Sequence, residues 1–193
     1  MEITEKQISA AYEVADENTK KVLDALFGKK KDNRPVTERV KTFEDACREL
    51  GDNHPFVEAW RTCSNAFGDD DKDFADVLAY LKLRIIVAAL NEGWEPKFEE
   101  EEYRWAPWYC LYTKEEWEDL DDDVKAKGRV VGRSYYDASA YGGVVYADAY
   151  YASSYSPADI GSRLAFKSEA LAKYAGEQFI DIYIDFMMSN VKA

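Results

Sequence analysis

From Phe74 to Leu90 the chain carries two apolar faces on one helical period. Phe74, Val77, Leu78, Leu81, Ile85 and Ala88 mark the first, and Leu83, Ile86, Val87 and Leu90 mark the second. A surface helix needs only one such stripe, so this segment predicts a central, buried helix with other elements wrapped around it. The flanking residues supply those elements. Ile8, Ala11, Ala15, Val22, Leu23, Leu26 and Phe27 follow a helical period that Gly28 stops. Thr42, with Asp45 three residues on and Gly51 behind, predicts a short capped helix over Phe43, Ala46, Cys47 and Leu50. Pro55 opens another helix, which carries Phe56, Val57 and Trp60.

After Gly93 the period changes. Tyr103–Tyr112 (YRWAPWYCLY) is aromatic and strand-like, and Pro107 confines it to an edge or a bend. Thr113 and Glu116 form a capping box for a short acidic helix through Trp117 and Leu120. Arg129–Arg133, Val144–Ala149 and Arg163–Lys167 are three further strand candidates. Ser168 caps a last helix whose face is Leu171, Tyr174, Ala175, Phe179, Ile182, Tyr183 and Phe186. The pattern predicts an α+β protein. A helical region over 1–98 packs on a small antiparallel β region, and a C-terminal helix closes residues 99–193; the two regions can form one compact domain.

A net charge of −13 makes the nucleic-acid backbone an unfavourable partner. No stretch approaches the ~20 apolar residues of a membrane span, and MEITEKQIS lacks a basic region leading into an apolar run. The expectation is a chain without a signal peptide, cytoplasmic as synthesised. Cys47, Cys63 and Cys110 are widely spaced among apolar residues, as expected of buried free thiols in a reducing compartment. His54 is the single histidine, so a His-based zinc site is excluded. The runs Asp69–Asp71 and Asp119–Asp123 lack the spacing of a calcium loop and are expected to be solvated turns. No metal and no cofactor is expected. Trp105, Trp108, Tyr109, Tyr112 and Trp117 could form a sugar platform, but core packing beside the sheet is the stronger expectation.

Ser134–Gly161 is unlike the rest. It holds seven of the fourteen tyrosines and, in a chain that is 33% charged, no Lys, Arg, Glu, Gln, Met or Trp. Tyrosine among Ala, Ser, Asp and Gly is the palette of binding loops: large amphipathic area at low entropic cost, with small residues that adapt around it. Ala138, Ala140, Ala147 and Ala149 alternate with larger or polar residues, which predicts an inward alanine face and an outward Tyr/Asp/Ser face. Gly142-Gly143 is expected to turn the chain between the two pieces. The alternative is an ordinary β region whose tyrosines pack on one another. Against it, Leu, Ile and Phe are missing from the segment until Ile160, and a contiguous exposed aromatic surface usually has a partner. The genetic code points the same way. Randomising the adenines of AAC or AAT codons reaches Tyr, Asp, Ser, Ala and Gly but never Lys, Glu, Gln, Met or Trp, the set missing here.

The runs RVVGRS, GGVVYADAYYASS and GSRLAFK, followed by LAKYAGEQFIDIY, resemble variable proteins diversified by the retroelements of gut bacteria and their phages. ALNEGWEPKF and EYRWAPWYCLYTKEE resemble the same group upstream, so the likeness spans residues 40–188 and is most specific over 129–167. The resemblance implies a C-type-lectin-like scaffold displaying diversified positions, and association with a phage or prophage particle. Ser162 stands where the similar formylglycine-generating branch has an aromatic residue, and a long helix follows. Carried over by position, the diversified, ligand-binding residues would be Tyr135, Tyr136, Asp137, Ser139, Tyr141, Asp148, Tyr150, Tyr151, Tyr155 and Asp159. Gly142, Gly143, Arg163, Leu164 and Phe166 would be fixed scaffold. Tyr146 points outward by alternation but is framework by resemblance.

The expected function is non-enzymatic: recognition of a protein or other macromolecular ligand through residues 134–160. A phage structural protein using the tyrosine face as a subunit interface, and hence a homo-oligomer, is the alternative. No nucleophile–base pairing stands out that would support an enzyme.

Overall fold

The computed structural model describes residues 3–27, 33–68, 71–97, 99, 102–131, 142–152 and 163–188. The chain divides into two compact units, Met1–Pro35 and Val36–Ala193.

The first unit holds helices α1 (Glu5–Val14) and α2 (Glu17–Phe27). The apolar period expected to run unbroken to Phe27 is interrupted at Ala15, whose backbone is extended. Asp16 explains the restart: its Oδ1 accepts from Thr19 N–H at 2.7 Å, as a helix N-cap does. Those bonds from Thr19 also hold the Asp16 carboxyl below its usual range. The Tyr12 hydroxyl donates to Asp24 at 2.6 Å and links the two helices.

In the second unit, α3 (Val36–Arg39), α4 (Phe43–Leu50), α5 (Pro55–Phe67) and α6 (Ala75–Asn91) precede the sheet. The caps form as expected. Thr42 Oγ1 accepts from Asp45 N–H at 3.1 Å while Asp45 accepts from Thr42 N–H at 2.9 Å, and Pro55 occupies the first turn of α5. Helix α6 is the centre of the unit. Leu83, Ile86 and Leu90 of its second apolar face and Ile85 of its first are wholly buried, and Leu78 of the first nearly so; both faces reach the core, while Phe74 and Val77 at its N-terminal end stay exposed.

The sheet has β3 (Gly142–Ala152) in the middle, between β1 (Arg104–Tyr112) and β2 (Gly128–Val131), all antiparallel. Two short helices, α7 (Lys114–Asp119) and α8 (Asp122–Lys125), join β1 to β2. The second lies in the acidic run expected as a turn. Pro107 sits in an outer strand of this sheet, where a missing N–H is tolerated. The strand expected over Arg163–Lys167 shrinks to one bridge, in which Phe166 and Trp105 exchange two backbone hydrogen bonds.

Gly142 and Gly143 do not turn the chain. Both lie in β3, paired with Val131 and Val130. Their smallness serves close approach instead: a Cβ on Gly142 would stand 2.2 Å from the Tyr112 carbonyl oxygen, and one on Gly143 would enter the Trp117 ring. Helices α9 (Glu169–Gln178) and α10 (Ile180–Met187) then cover the sheet. They were expected as one helix, but Phe179 breaks it with φ −114° and ψ 27°. The phenol of Tyr174 donates to the Val40 carbonyl at 2.6 Å, and Phe186 stacks on Tyr80 of α6, so sheet, C-terminal helices and α6 share one core. The result is an α+β fold, with 36–91 and the sheet in the same unit.

No helix among the described residues is long and apolar enough to cross a membrane. The three cysteines are free and half-buried, less enclosed than expected; burial pushes the Cys47 thiol up.

Candidate functional site

Of the ten candidate contact residues, Tyr135, Tyr136, Asp137, Ser139, Tyr141, Tyr155 and Asp159 lie outside the described residues. Tyr150 is placed by its backbone, opposite Ala106 of β1. Asp148 and Tyr151 are described in full, on the half of β3 that pairs with β1 alone, beyond the reach of β2.

Tyr151 lies directly across from Trp105, and their ring centroids are 5.0 Å apart. Tyr103, one step before β1, sets its ring edge against Tyr151 at 4.9 Å, with 77° between the planes. That T-shaped contact suits the opposite charges of an aromatic face and edge. Trp105 turns its inner side to the core, whereas Tyr103 and Tyr151 remain 53% and 49% exposed. Trp108, paired with Asp148, is 56% exposed. The aromatics expected in the core therefore divide: Trp117 of α7 and Tyr109 of β1 pack inward, as expected, but Trp108 does not.

Asp148 is an exposed carboxylate with a fixed posture. It accepts from the Ala149 N–H at 2.8 Å and pairs with Lys173 of α9 at 3.3 Å. The Ala149 bond first, and Lys173 second, hold its carboxyl below the usual range. Lys173 also reaches Glu169 at 2.6 Å, and the two carboxylates hold its ammonium above its ordinary value.

A bulge explains where simple alternation fails. Trp108 pairs with Asp148 and Tyr109 with Tyr146, leaving Ala147 as the extra residue on β3. Ala147, expected on the inner face, is exposed, while Ala149 packs on the core. Tyr146 points inward, against simple alternation. Its ring crosses Tyr109 at 5.8 Å and lies against Gly176 of α9, where an added Cβ would be 2.6 Å from the ring. Burial pushes the Tyr146 phenol up to about 12, and its hydroxyl has no hydrogen-bond partner among the described residues.

No family model, curated protein or solved structure matches the chain.

The described part of the candidate surface is thus a pair of half-exposed phenols, an exposed indole and one carboxylate held by a lysine. Such a set can stack, donate and accept hydrogen bonds, and cover apolar area on a partner. Sequence reasoning did not single out Tyr103 or Lys173. The first had a signal, since its two-residue spacing from Trp105 puts both rings on one strand face. The second had none, because α9 meets β3 only through the fold. Of the expected scaffold residues, Leu164 and Phe166 are buried, and Arg163 is exposed.

Proposed function

We propose that this chain is a non-enzymatic ligand-binding protein whose recognition surface is the segment 134–160, carried by β3 and extended by the aromatic residues of β1. The observation that carries this reading is the half-exposed Tyr103–Tyr151 pair. It sits on the strand that leads into a run of Tyr, Ser, Ala and Asp without Lys, Glu or Gln. Exposed aromatic rings on a rigid strand lose little side-chain entropy on binding, which favours recognition over an ordinary solvated surface. The resemblance to retroelement-diversified variable proteins adds that the surface varies between siblings and serves a phage or prophage particle, with a protein or other macromolecule as ligand.

The gene tests the reading directly. Tyr and Asp codons end in C or T in any gene, so among the ten positions Ser139 is the informative one, and its codon is expected to end in C or T. A reverse transcriptase and a near-identical template repeat are expected beside the gene. Purine-ending codons at Ser139, with no such repeat nearby, would refute diversification. Siblings differing at these ten positions and sharing Tyr146, Gly142 and Gly143 would support it.

A further inference from the structure

A second concavity, of about 360 Å³, lies where the start of α5, the end of α6 and the segment 93–96 meet Arg163 and Ala165. Its polar lining is cationic, in a chain whose net charge is −13. Among the described lining residues Arg84 and Arg163 are the cations, His54 lies with them, and Glu95 is the one carboxylate.

The two arginines differ from their neighbours. Arg39, Arg48, Arg61 and Arg129 each hold a carboxylate: Glu49 and Glu92, Asp45, Asp52, and Asp181 respectively. Among the described residues neither Arg84 nor Arg163 has one within ion-pair reach. Arg84 instead sets its Cζ over the Phe56 ring, 3.9 Å from the centroid. A ring face holds the cation without using its N–H donors, and a guanidinium fork matches an oxyanion. His54 adds a donor. Its Nδ1 accepts from the Phe56 N–H at 3.2 Å, so the neutral ring carries its proton on Nε2. The first turn of α5, a helix of 13 residues, contributes its positive end at the same place. Leu50, Val87 and Trp94 supply apolar wall.

We propose that this cleft binds a small organic oxyanion, a carboxylate or phosphate head on an apolar body. Arg84 and Arg163 take the head, and the walls of α6 and Trp94 take the body. The volume falls within the range of small-molecule pockets, ~300–1,000 Å³. Neither Asp148 nor Tyr151, the two contact positions described in full, lines it.

The test is calorimetric titration of the full chain with phenyl phosphate, benzoate, inorganic phosphate and phenol. Saturable binding of phenyl phosphate or benzoate, with phenol inert, is expected; the stronger of the two identifies the head. Arg84→Lys keeps the cation over Phe56 but loses the fork, and Arg163→Ala alters an exposed residue, so both should fold. Each is expected to weaken binding about tenfold or more, the loss typical of a charged hydrogen bond. Glu95→Gln should tighten it. Failure of every anion to saturate, equal binding of phenol, or unchanged affinity in both arginine variants would each overturn the proposal.

Discussion

Gly176 sits in α9 where the helix lies on the sheet, and two opposed effects meet there. Alanine in place of glycine inside a helix ordinarily stabilises by about 0.5–1 kcal/mol, because glycine loses more backbone freedom on folding. Here the new methyl would stand 2.6 Å from the Tyr146 ring and 2.9 Å from the Pro107 Cβ. Overpacking of that kind costs about 1–3 kcal/mol. The steric effect should win, so Gly176→Ala is expected to destabilise by about 1–2 kcal/mol, the overpacking cost less the helical gain. Removing the ring separates the two contributions. In a Tyr146→Ala background the two nearest clashes are gone and the Pro107 contact stays, so the same substitution should cost about 1 kcal/mol less, as expected of residues in contact. Urea denaturation followed by circular dichroism measures all four proteins, with an unchanged slope confirming comparable unfolded states. If Gly176→Ala raises the midpoint, or the two changes add within about 0.5 kcal/mol, Tyr146 does not pack on α9 and its place in the framework is wrong.

Burial holds the phenols of Tyr109 and Tyr183 well above their ordinary range, and that of Tyr146 at about 12. A raised folded value means stability that is intact below the unfolded value, near 10, and lost as pH climbs through it toward the folded values. Phenolate absorbance should therefore lag in part and then rise together with unfolding. Tyr183→Phe, which removes a buried hydroxyl without a partner among the described residues, should flatten that alkaline loss. On the acid side, Lys167 first, and Arg39 with it, hold the Glu92 carboxyl below its model-compound value of 4.5. Its contribution is present above that value and fades as pH falls through the folded one. Glu92→Gln should lower the thermal midpoint at neutral pH and weaken its decline in acid.

The elements that sequence foretold well are those whose signal is local. Thr42 with Asp45, Thr113 with Glu116 and Ser168 with the Leu171 N–H each start a helix through bonds made within four residues. The doubly apolar α6 was legible for a related reason: only a buried helix tolerates so little polar surface. What escaped depends on partners distant in the chain. Gly142-Gly143 has the composition of a turn, and nothing nearby announces that Trp117 and the Tyr112 carbonyl need the space of two side chains. Asp16 was a missed local signal, since an Asp three residues before Thr19 is an ordinary cap that the apolar period around it concealed.

The proposed contact surface shows the same division at finer scale. Composition alone marks 134–161, because a Lys- and Glu-free stretch is out of character in this chain. Composition cannot orient individual residues, and period-two reasoning carries an orientation only as far as the first bulge. Beyond Ala147 the parity flips, so Tyr146 and Asp148, two residues apart, differ in fate: one is wedged under α9, the other exposed and held by Lys173 from outside. The resemblance placed Tyr146 in the framework where alternation did not. Packing supplies the physical reason, since a smaller or polar residue there would leave Gly176 and Tyr109 facing a void. Variation at this strand is thus bounded by the helix beneath it. Tyr151 and Asp148 can change without disturbing the core, and Tyr146 cannot.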